Sequence, residues 1–231
     1  MVIAMSQTTK SRQFYIHPEG WKFASIFLVI STSLYFFWLP LSLVGFSLTF
    51  FVIWFFRNPE RLAPNDASKI VSSADGKVCL IDEAIPPLEL SMAPEKMKRI
   101  CVFMNVFNVH VNRSPIAAEI ESIVYKKGQF LNASLDKASD KNERSSLVLK
   151  TDDGTKIIVV QIAGLIARRI LGFVKTNQRL DQGERFGLIR FGSRVDIYMP
   201  LDANPECKIG DIVTAGETVL ASLPLMRGAG E

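Results

Sequence analysis

The run Phe186-Gly-Leu-Ile-Arg-Phe-Gly-Ser-Arg-Val-Asp-Ile-Tyr-Met199 places Ile189, Phe191, Ser193, Val195 and Ile197 on one face of an extended chain, because successive strand side chains point to opposite sides. A repeat frames it. Lys175-Thr-Asn-Gln-Arg-Leu-Asp-Gln-Gly-Glu-Arg-Phe186 and Lys208-Ile-Gly-Asp-Ile-Val-Thr-Ala-Gly-Glu-Thr-Val219 align at an offset of 33 residues. Each has a Lys, an apolar residue five positions later, a Gly-Glu pair and a further apolar residue. Similar β-branched or apolar runs, punctuated by Gly, Pro, Asn and Asp, occur at Lys77–Ile81, Arg99–Met104, Ile120–Tyr125, Ser146–Lys150, Lys156–Ile162, Phe186–Phe191 and Arg194–Met199. These predict strands. Ile166, Ile170 and Val174, four residues apart within Ala163–Lys175, predict a short helix.

Toward the N-terminus the character of the chain changes. Phe23–Phe56 holds 34 consecutive positions without Asp, Glu, Lys, Arg or His. As a single helix this stretch would run about 51 Å, against a bilayer hydrocarbon core of about 30 Å. Pro40 is expected to divide it into helices at about Trp21–Leu39 and Leu41–Phe56, since proline removes a backbone donor and clashes with the preceding turn. Lys10, Arg12 and Lys22 precede the hairpin, and Arg57 and Arg61 follow it. By the positive-inside rule both ends and the following domain then lie on the cytoplasmic side of the cell (inner) membrane. The length of the apolar run and the lack of a small-residue cleavage site argue against a secretory signal. The expected organisation is an N-terminal segment at 1–20, a membrane hairpin at 21–57 and a β-rich domain at 58–231.

Composition narrows the class further. The 231 residues are 48% hydrophobic and 22% charged, which excludes a disordered or collagen-like chain. Lys and Arg number 27 against 23 acidic residues. A net charge of +4, so dispersed, argues against nucleic acid and suits an anionic membrane surface. Cys79, Cys101 and Cys207 are odd in number, far apart and without metal-ligand spacing, and read as small core residues in a reducing compartment.

The repeated frame resembles the hammerhead turns of biotinyl and lipoyl carrier domains, with Ala74-Asp75-Gly76-Lys77-Val78 as a third such turn. The expected fold class is therefore α+β, mainly β: a membrane helical hairpin followed by a compact β-sandwich of barrel-sandwich-hybrid type. The non-enzymatic alternative is a membrane-tethered carrier or adaptor of hammerhead type, or a processing-dead homologue without enzymatic activity. A carrier needs an exposed Lys at a hairpin tip between the half-repeats, where this chain has Arg190-Phe-Gly-Ser-Arg194.

A Gly-Ser pair alone usually marks a turn. Here Gly192 leaves the upstream carbonyl open to a serine set among apolar neighbours. Glu184–Pro200 resembles the processing site of the short, membrane-associated bacterial phosphatidylserine decarboxylase family. The resemblance extends to Ser73-Ala-Asp-Gly76, Phe107-Asn-Val-His-Val-Asn-Arg-Ser-Pro115, Asn132-Ala-Ser-Leu-Asp-Lys-Ala-Ser139, Asn142-Glu-Arg144 and Gln161-Ile-Ala-Gly-Leu-Ile-Ala-Arg-Arg169, and runs from about Pro18 to Leu223.

What the resemblance implies is a zymogen that makes its own cofactor. Ser193 attacks the Gly192 carbonyl, and elimination from the resulting ester releases Gly192 as a new carboxyl terminus. The dehydroalanine left behind tautomerises to an imine, which water hydrolyses to a pyruvoyl group with loss of ammonia. The products are a β chain, 1–192, and an α chain, 193–231, that remain a heterodimer. Decarboxylation of phosphatidylserine to phosphatidylethanolamine then proceeds through a Schiff base, with the pyruvoyl group as electron sink. Neither metal nor nucleotide is implied, and there is no P-loop or dinucleotide fingerprint. The partners implied are the phospholipid substrate and membrane lipids, with no nucleic acid.

Only two histidines occur, and His17 precedes the apolar run, so His110 is the imidazole available to the domain. By itself His110 reads as a backbone-satisfied core residue, and Asp75 as a turn former before Gly76. The resemblance makes them catalytic partners of Ser193. Longer bacterial relatives carry two histidines three residues apart and Leu-Gly-Ser-Thr at the cleavage site, whereas this chain has His110 with Arg113, and Phe191-Gly-Ser-Arg194. The short form shows this pattern, and the division of roles for His110 between self-cleavage and decarboxylation stays open. Arg113, Arg168, Arg169 and Arg194, with Arg144 and Arg190, are candidates for the lipid phosphate, because a guanidinium fork suits phosphodiester oxygens.

Overall fold

The computed structural model describes residues 14–129, 141–164, 169–190 and 193–224. They form two compact units that divide between Arg61 and Leu62.

The first unit is a helical hairpin, α1 (Pro18–Tyr35) and α2 (Leu39–Phe55), closed at its base by the antiparallel pair β1 (Phe14–Ile16) and β2 (Arg57–Pro59). His17 caps α1, its Nδ1 accepting the Glu19 N–H at 3.3 Å. The division differs from the expected one. Helix α1 ends at Tyr35, the Trp38 N–H bonding back to the Leu34 carbonyl at 2.8 Å, and Pro40 lies in the first turn of α2. At that position the missing proline N–H would have had no intrahelical partner, so the ring is accommodated.

Small and hydroxylated residues line the contact between the helices. Gly20, Ala24 and Ser31 of α1 and Ser42, Thr49 and Val52 of α2 are buried. A Cβ at Gly45 would overlap Ser31 Oγ. The buried hydroxyls donate within their own helices, Ser31 to the Phe27 carbonyl at 2.6 Å and Thr49 to the Gly45 carbonyl at 2.9 Å. The large apolar residues face outward, with Val29, Phe36, Phe37 and Phe50 all more than 60% exposed. Among the described residues no helix is long and apolar enough to cross a membrane.

The second unit is β throughout apart from a 3-10 turn at Leu88–Leu90. Its strands are β3 (Lys69–Val71), β4 (Gly76–Ala84), β5 (Met97–Met104), β6 (Val111–Arg113), β7 (Ala118–Lys126), β8 (Arg144–Lys150), β9 (Lys156–Ala163), β10 (Ile170–Gly172), β11 (Arg179–Leu180), β12 (Arg185–Ile189), β13 (Ser193–Met199), β14 (Asn204–Pro205), β15 (Ile212–Val213) and β16 (Val219–Ser222). An eight-stranded antiparallel sheet has the order β11-β7-β8-β9-β13-β5-β4-β15, with two three-stranded sheets, β10-β12-β6 and β14-β16-β3. Each strand expected from the β-branched and apolar runs has a counterpart, but Phe186–Phe191 is strand only to Ile189, with Phe191 outside the described residues, and the single extended face expected from Ile189 to Ile197 is divided between β12 and β13 of different sheets. Strand β13 occupies the middle, flanked along its length by β5 and β9. On one face Val195, Ile197 and Met199 join Ile100, Val102, Met104, Ile157 and Val159 in the main core. On the other, Tyr198 packs with Ile158, Val160, Ile162 and Leu90.

The offset of 33 is a structural repeat. Asn177 and Gly210 both take positive φ, 66° and 104°, as do Gly183 and Gly216, 79° and 76°. The two turns grip partner strands alike. Asn177 N–H bonds to Ile120 O at 2.8 Å and Ile120 N–H returns to Gln178 O at 2.9 Å, while Gly210 and Val78 with Asp211 repeat both bonds at 2.8 and 2.9 Å. A second repeat, offset by 42 residues, becomes visible only here. Ser72 and Ser114 each donate to a carbonyl two residues on at 2.7 Å, and β4 and β7 carry bulges after Val78 and Ile120. Ala74–Val78 is therefore not a third hammerhead turn but the partner that receives one.

The helix expected over Ala163–Lys175 is also corrected, as far as that stretch is described. Ile170–Gly172 is strand β10, paired with Gly187–Ile189, and Ala163 ends β9. Cross-strand hydrogen bonds to β12 prevail over a local spacing that suits either period. Ile166 lies outside the described residues.

Gly183 and Gly216 pack against each other, a Cβ on Gly216 falling 3.3 Å from Gly183 Cα. Left-handed backbone costs an L-residue roughly 1–2 kcal/mol. Gly183→Ala and Gly216→Ala should each destabilise the chain by about that amount, measured by urea unfolding. Asn177→Gly, where asparagine already tolerates positive φ, should shift the midpoint far less.

Candidate active site

Ser193 begins the central strand and is fully buried. It stands opposite Met104 of β5 and Ala163 of β9, on the face turned to the main core. Its Oγ has no hydrogen-bond partner among the described residues. A buried hydroxyl left so costs about 1–3 kcal/mol relative to a satisfied one, and such groups cluster where chemistry is done. Gly192 and Phe191, the other side of the expected cleavage site, lie outside the described residues, as do Arg168 and the Asn132–Ser139 motif.

His110 and Asp75 come to the same end of β5 by different routes. The chain leaves β5 at Met104, beside Ser193, and reaches His110 six residues later. The His110 carbonyl accepts the Ile189 N–H at 3.2 Å, tying it to the end of β12. Its ring is wholly buried, with Nδ1 2.9 Å from the Asn108 carbonyl. A carbonyl only accepts, so Nδ1 is the nitrogen that donates in this contact. Asp75 precedes β4, the strand on the far side of β5 from β13. A Cβ at Gly76 would overlap the Phe103 carbonyl oxygen, so only glycine lets β4 start this close to β5. Asp75 is half-buried and its Oδ1 accepts the Ala215 N–H at 2.8 Å, which anchors the carboxylate to the repeat turn.

A polar thread joins these elements. Asn112 of β6 donates through Nδ2 to the Ser73 carbonyl at 3.4 Å and to Met104 Sδ at 3.7 Å, and its Oδ1 accepts from Gln161 Nε2 at 2.8 Å. Asn112 and Gln161 are both essentially inaccessible. Both lie in stretches that carry the family resemblance, Phe107–Pro115 and Gln161–Arg169, but neither is singled out there for a role. The available signal is Gln161 itself, which occupies an inward position among Ile157, Val159 and Ala163, where an apolar residue is the rule.

The profile of the phosphatidylserine decarboxylase family matches residues 48–221. The chain belongs to the phosphatidylserine decarboxylase family. A Ruegeria pomeroyi protein named phosphatidylserine decarboxylase proenzyme is 53% identical over 208 residues, covering 90% of this chain and 95% of that one. A Cereibacter sphaeroides protein of the same name is 52% identical over 208 residues, 90% of each chain.

For a phosphatidylserine decarboxylase the placement of the cationic candidates matters, because the substrate carries a phosphodiester. Arg194 is 1% exposed and donates through Nε and Nη2 to Asp196 at 2.6 and 2.8 Å. Arg113 is buried and donates to the Gly183 carbonyl at 2.8 Å. Arg144 is buried and forks onto Glu89, Nη2 to Oε2 at 2.7 Å. These three guanidinium groups serve acceptors within the fold, whereas Arg169 is exposed and Arg190 half-buried. Among the described residues no three His, Cys, Asp or Glu side chains are grouped to ligate a metal. The three cysteines are free, and burial raises the pKa of each thiol.

Burial alone would raise the Glu89 carboxyl, but its hydrogen bonds and the charge of Arg144 outweigh that and hold it below the ordinary 4.5. A lowered folded pKa contributes stability that is complete above the ordinary value and is lost as pH falls through the folded one. Glu89→Gln should therefore be less stable than wild type at neutral pH. The gap between their urea midpoints should close between about pH 5 and pH 3.

Proposed function

We propose that the chain is made as the membrane-associated proenzyme of a phosphatidylserine decarboxylase, with Ser193 as the source of a pyruvoyl group, cleavage between Gly192 and Ser193, and His110 and Asp75 as its assistants. It converts phosphatidylserine to phosphatidylethanolamine. The observation that carries the site is the orphaned Ser193 hydroxyl, buried at the first position of the central strand. The residues fit a group made in place: the atom that must react is already in the core, and a proton acceptor and an anchored carboxylate stand at the same strand end. A pyruvoyl group supplies an electron sink for the carbanion left when carbon dioxide departs.

In the proenzyme the Ser193 hydroxyl gives up its proton and attacks the preceding carbonyl carbon. His110, its Nδ1 held by the Asn108 carbonyl, is the base that takes that proton. Asp75 contributes negative charge that stabilises the protonated ring. The sheet supports a lasting α–β pair. Residues 193–199 hydrogen-bond to β5 on one side and β9 on the other, and β15 and β16 of the same segment pair with β4 and β3. Arg194, next to the new terminus, is pinned by Asp196 on the opposite face.

The helical unit supports membrane attachment through its inverted polarity. Between the helices lie Gly20, Ala24, Ser31, Ser42 and Thr49, with Val52 and Phe55 buried toward the base, while Phe36, Phe37 and Phe50 face outward, a small-residue contact of the kind helices make in lipid. Exposed apolar surface of that extent marks a partner that is itself apolar. We place it in the cell (inner) membrane, with the catalytic unit on the cytoplasmic side from the basic residues around the hairpin.

The purified active protein should contain a fragment spanning 193–231 with a blocked N-terminus. Ser193→Ala should persist as the intact 25.8 kDa chain and release no carbon dioxide from phosphatidylserine vesicles. An intact wild-type chain that is fully active would overturn the assignment of Ser193. Replacing Phe36, Phe37 and Trp38 together by serine should sharply reduce co-flotation with anionic vesicles.

A further inference from the structure

The Asn112–Gln161 pair has an orientation that chemistry dictates. The Ser73 carbonyl can only accept, so the Asn112 group facing it is the Nδ2 amide, 3.4 Å away. Asn112 must then present Oδ1 to Gln161, which answers with Nε2 at 2.8 Å. Gln161 is left with its own carbonyl oxygen turned elsewhere. Gly187 closes the other side, since a Cβ there would lie 2.8 Å from Gln161 Nε2. A chain of acceptor, donor, acceptor and donor thus ends in one buried acceptor of known identity.

That acceptor belongs to a residue on the same face of the sheet as the nucleophile. On β9 Gln161 pairs with Val195 and Ala163 with Ser193, so Gln161 and Ser193 share a face as diagonal neighbours. Diagonal neighbours on adjacent strands stand about 7–8 Å apart, within reach of a long side chain. Asn112 spans the same spot from the second sheet, touching Gln161 on β9 and Met104 on β5, the strands on either side of Ser193. Gln161 Oε1 and Ser193 Oγ are both buried and have no hydrogen-bond partner among the described residues. One is an acceptor without a donor, the other a hydroxyl able to donate.

We infer that Gln161 is a positioning residue for self-cleavage: its Oε1, aimed by Asn112, accepts the Ser193 hydroxyl hydrogen bond and holds Oγ in its attacking rotamer until the base takes the proton. The inference rests on Ser193 being the nucleophile. Nothing in it requires Gln161 to ionise, and the hydrogen bond is given up as the proton transfers to the base. In the strand itself, Gln161 trades an apolar contact for this one acceptor, which accounts for an amide at an inward position.

The test compares full-length wild type, Gln161→Met and Gln161→Glu in a pulse-chase synthesis, following conversion of the 25.8 kDa chain to its fragments. Melting temperatures of the same chains, each carrying Ser193→Ala, are measured alongside. Methionine keeps the volume and removes the acceptor. Glutamate, neutral when buried, keeps an acceptor oxygen and a donor toward Asn112. Gln161→Met should process at least tenfold more slowly at a melting temperature near wild type, and Gln161→Glu should stay within about threefold of wild type, a loss of about 0.65 kcal/mol at most when converted at 1.4 kcal/mol per tenfold. Processing that follows the acceptor rather than the melting temperature separates positioning from a structural role. Wild-type pace in Gln161→Met overturns the inference, as does a block in a stably folded Gln161→Glu. If Gln161→Met does not fold, the glutamate variant decides alone by the same two outcomes. A wild-type chain that never cleaves at residue 193 would instead refute the nucleophile, a result distinct from either.

Discussion

The contact between Gly183 and Gly216 is the constraint on which the catalytic unit depends. Each glycine turns the chain through left-handed backbone just before a strand, and each donates its N–H into the other limb of its half, Gly183 to Ser114 at 2.8 Å and Gly216 to Ser72 at 2.7 Å. No side chain separates them, so the two halves meet backbone to backbone. The strands that open the two halves, β4 and β7, lie next to opposite edges of one sheet, inside β15 and β11, with β13 between them. Ser193, at the start of β13, is central for that reason.

Equivalence is broken where chemistry is needed. Asp75 in one half corresponds at the 42-residue offset to Ala117 in the other, so one limb carries a carboxylate and its mate a methyl group. The core is likewise interrupted on one side only, where Asn112 and Gln161 run a hydrogen-bonded line through otherwise apolar packing. Buried amides cost stability unless paired, and a line that pairs all but its last oxygen concentrates that cost at a single point. In a scaffold of mutually supporting ladders, one unsatisfied position beside one unsatisfied hydroxyl is affordable.

The same economy of polar groups takes the opposite form in the helical unit. There the hydroxyls of Ser31, Ser42 and Thr49 are satisfied within their own turns, so burying them between helices leaves no open valence. Phe55 and Phe56 are buried at the base of the hairpin, whereas Phe36, Phe37 and Phe50 lie on its outer surface.

Much of this was legible in the amino-acid sequence, for local reasons. Period-two alternation marked every long strand, since a half-buried or doubly buried strand must alternate or run apolar whatever its neighbours. The 33-residue repeat was legible because a left-handed turn demands Gly or Asn at a fixed place, and Gly183 and Gly216 fall there. The uncharged stretch announced a helical pair for the same kind of reason. The 42-residue repeat was not legible, because its equivalence lies in hydrogen bonds from Ser72 and Ser114 and in matching bulges, which impose little on side-chain identity. Ile170–Gly172 misled because three apolar residues suit either period, and only the edge of β12 decided between them. Pro40 located the turn between helices to within a few residues, but whether it ends one helix or opens the next depends on which backbone groups need partners. Motif resemblance singled out Ser193, His110 and Asp75, whereas Asn112 and Gln161 acquire meaning only once β6 is laid across β5, β13 and β9. Sequence determines which residues can alternate, turn or react. Tertiary structure alone decides which buried polar atoms find one another, because a hydrogen bond is settled by separations of a few ångströms between strands far apart in the chain.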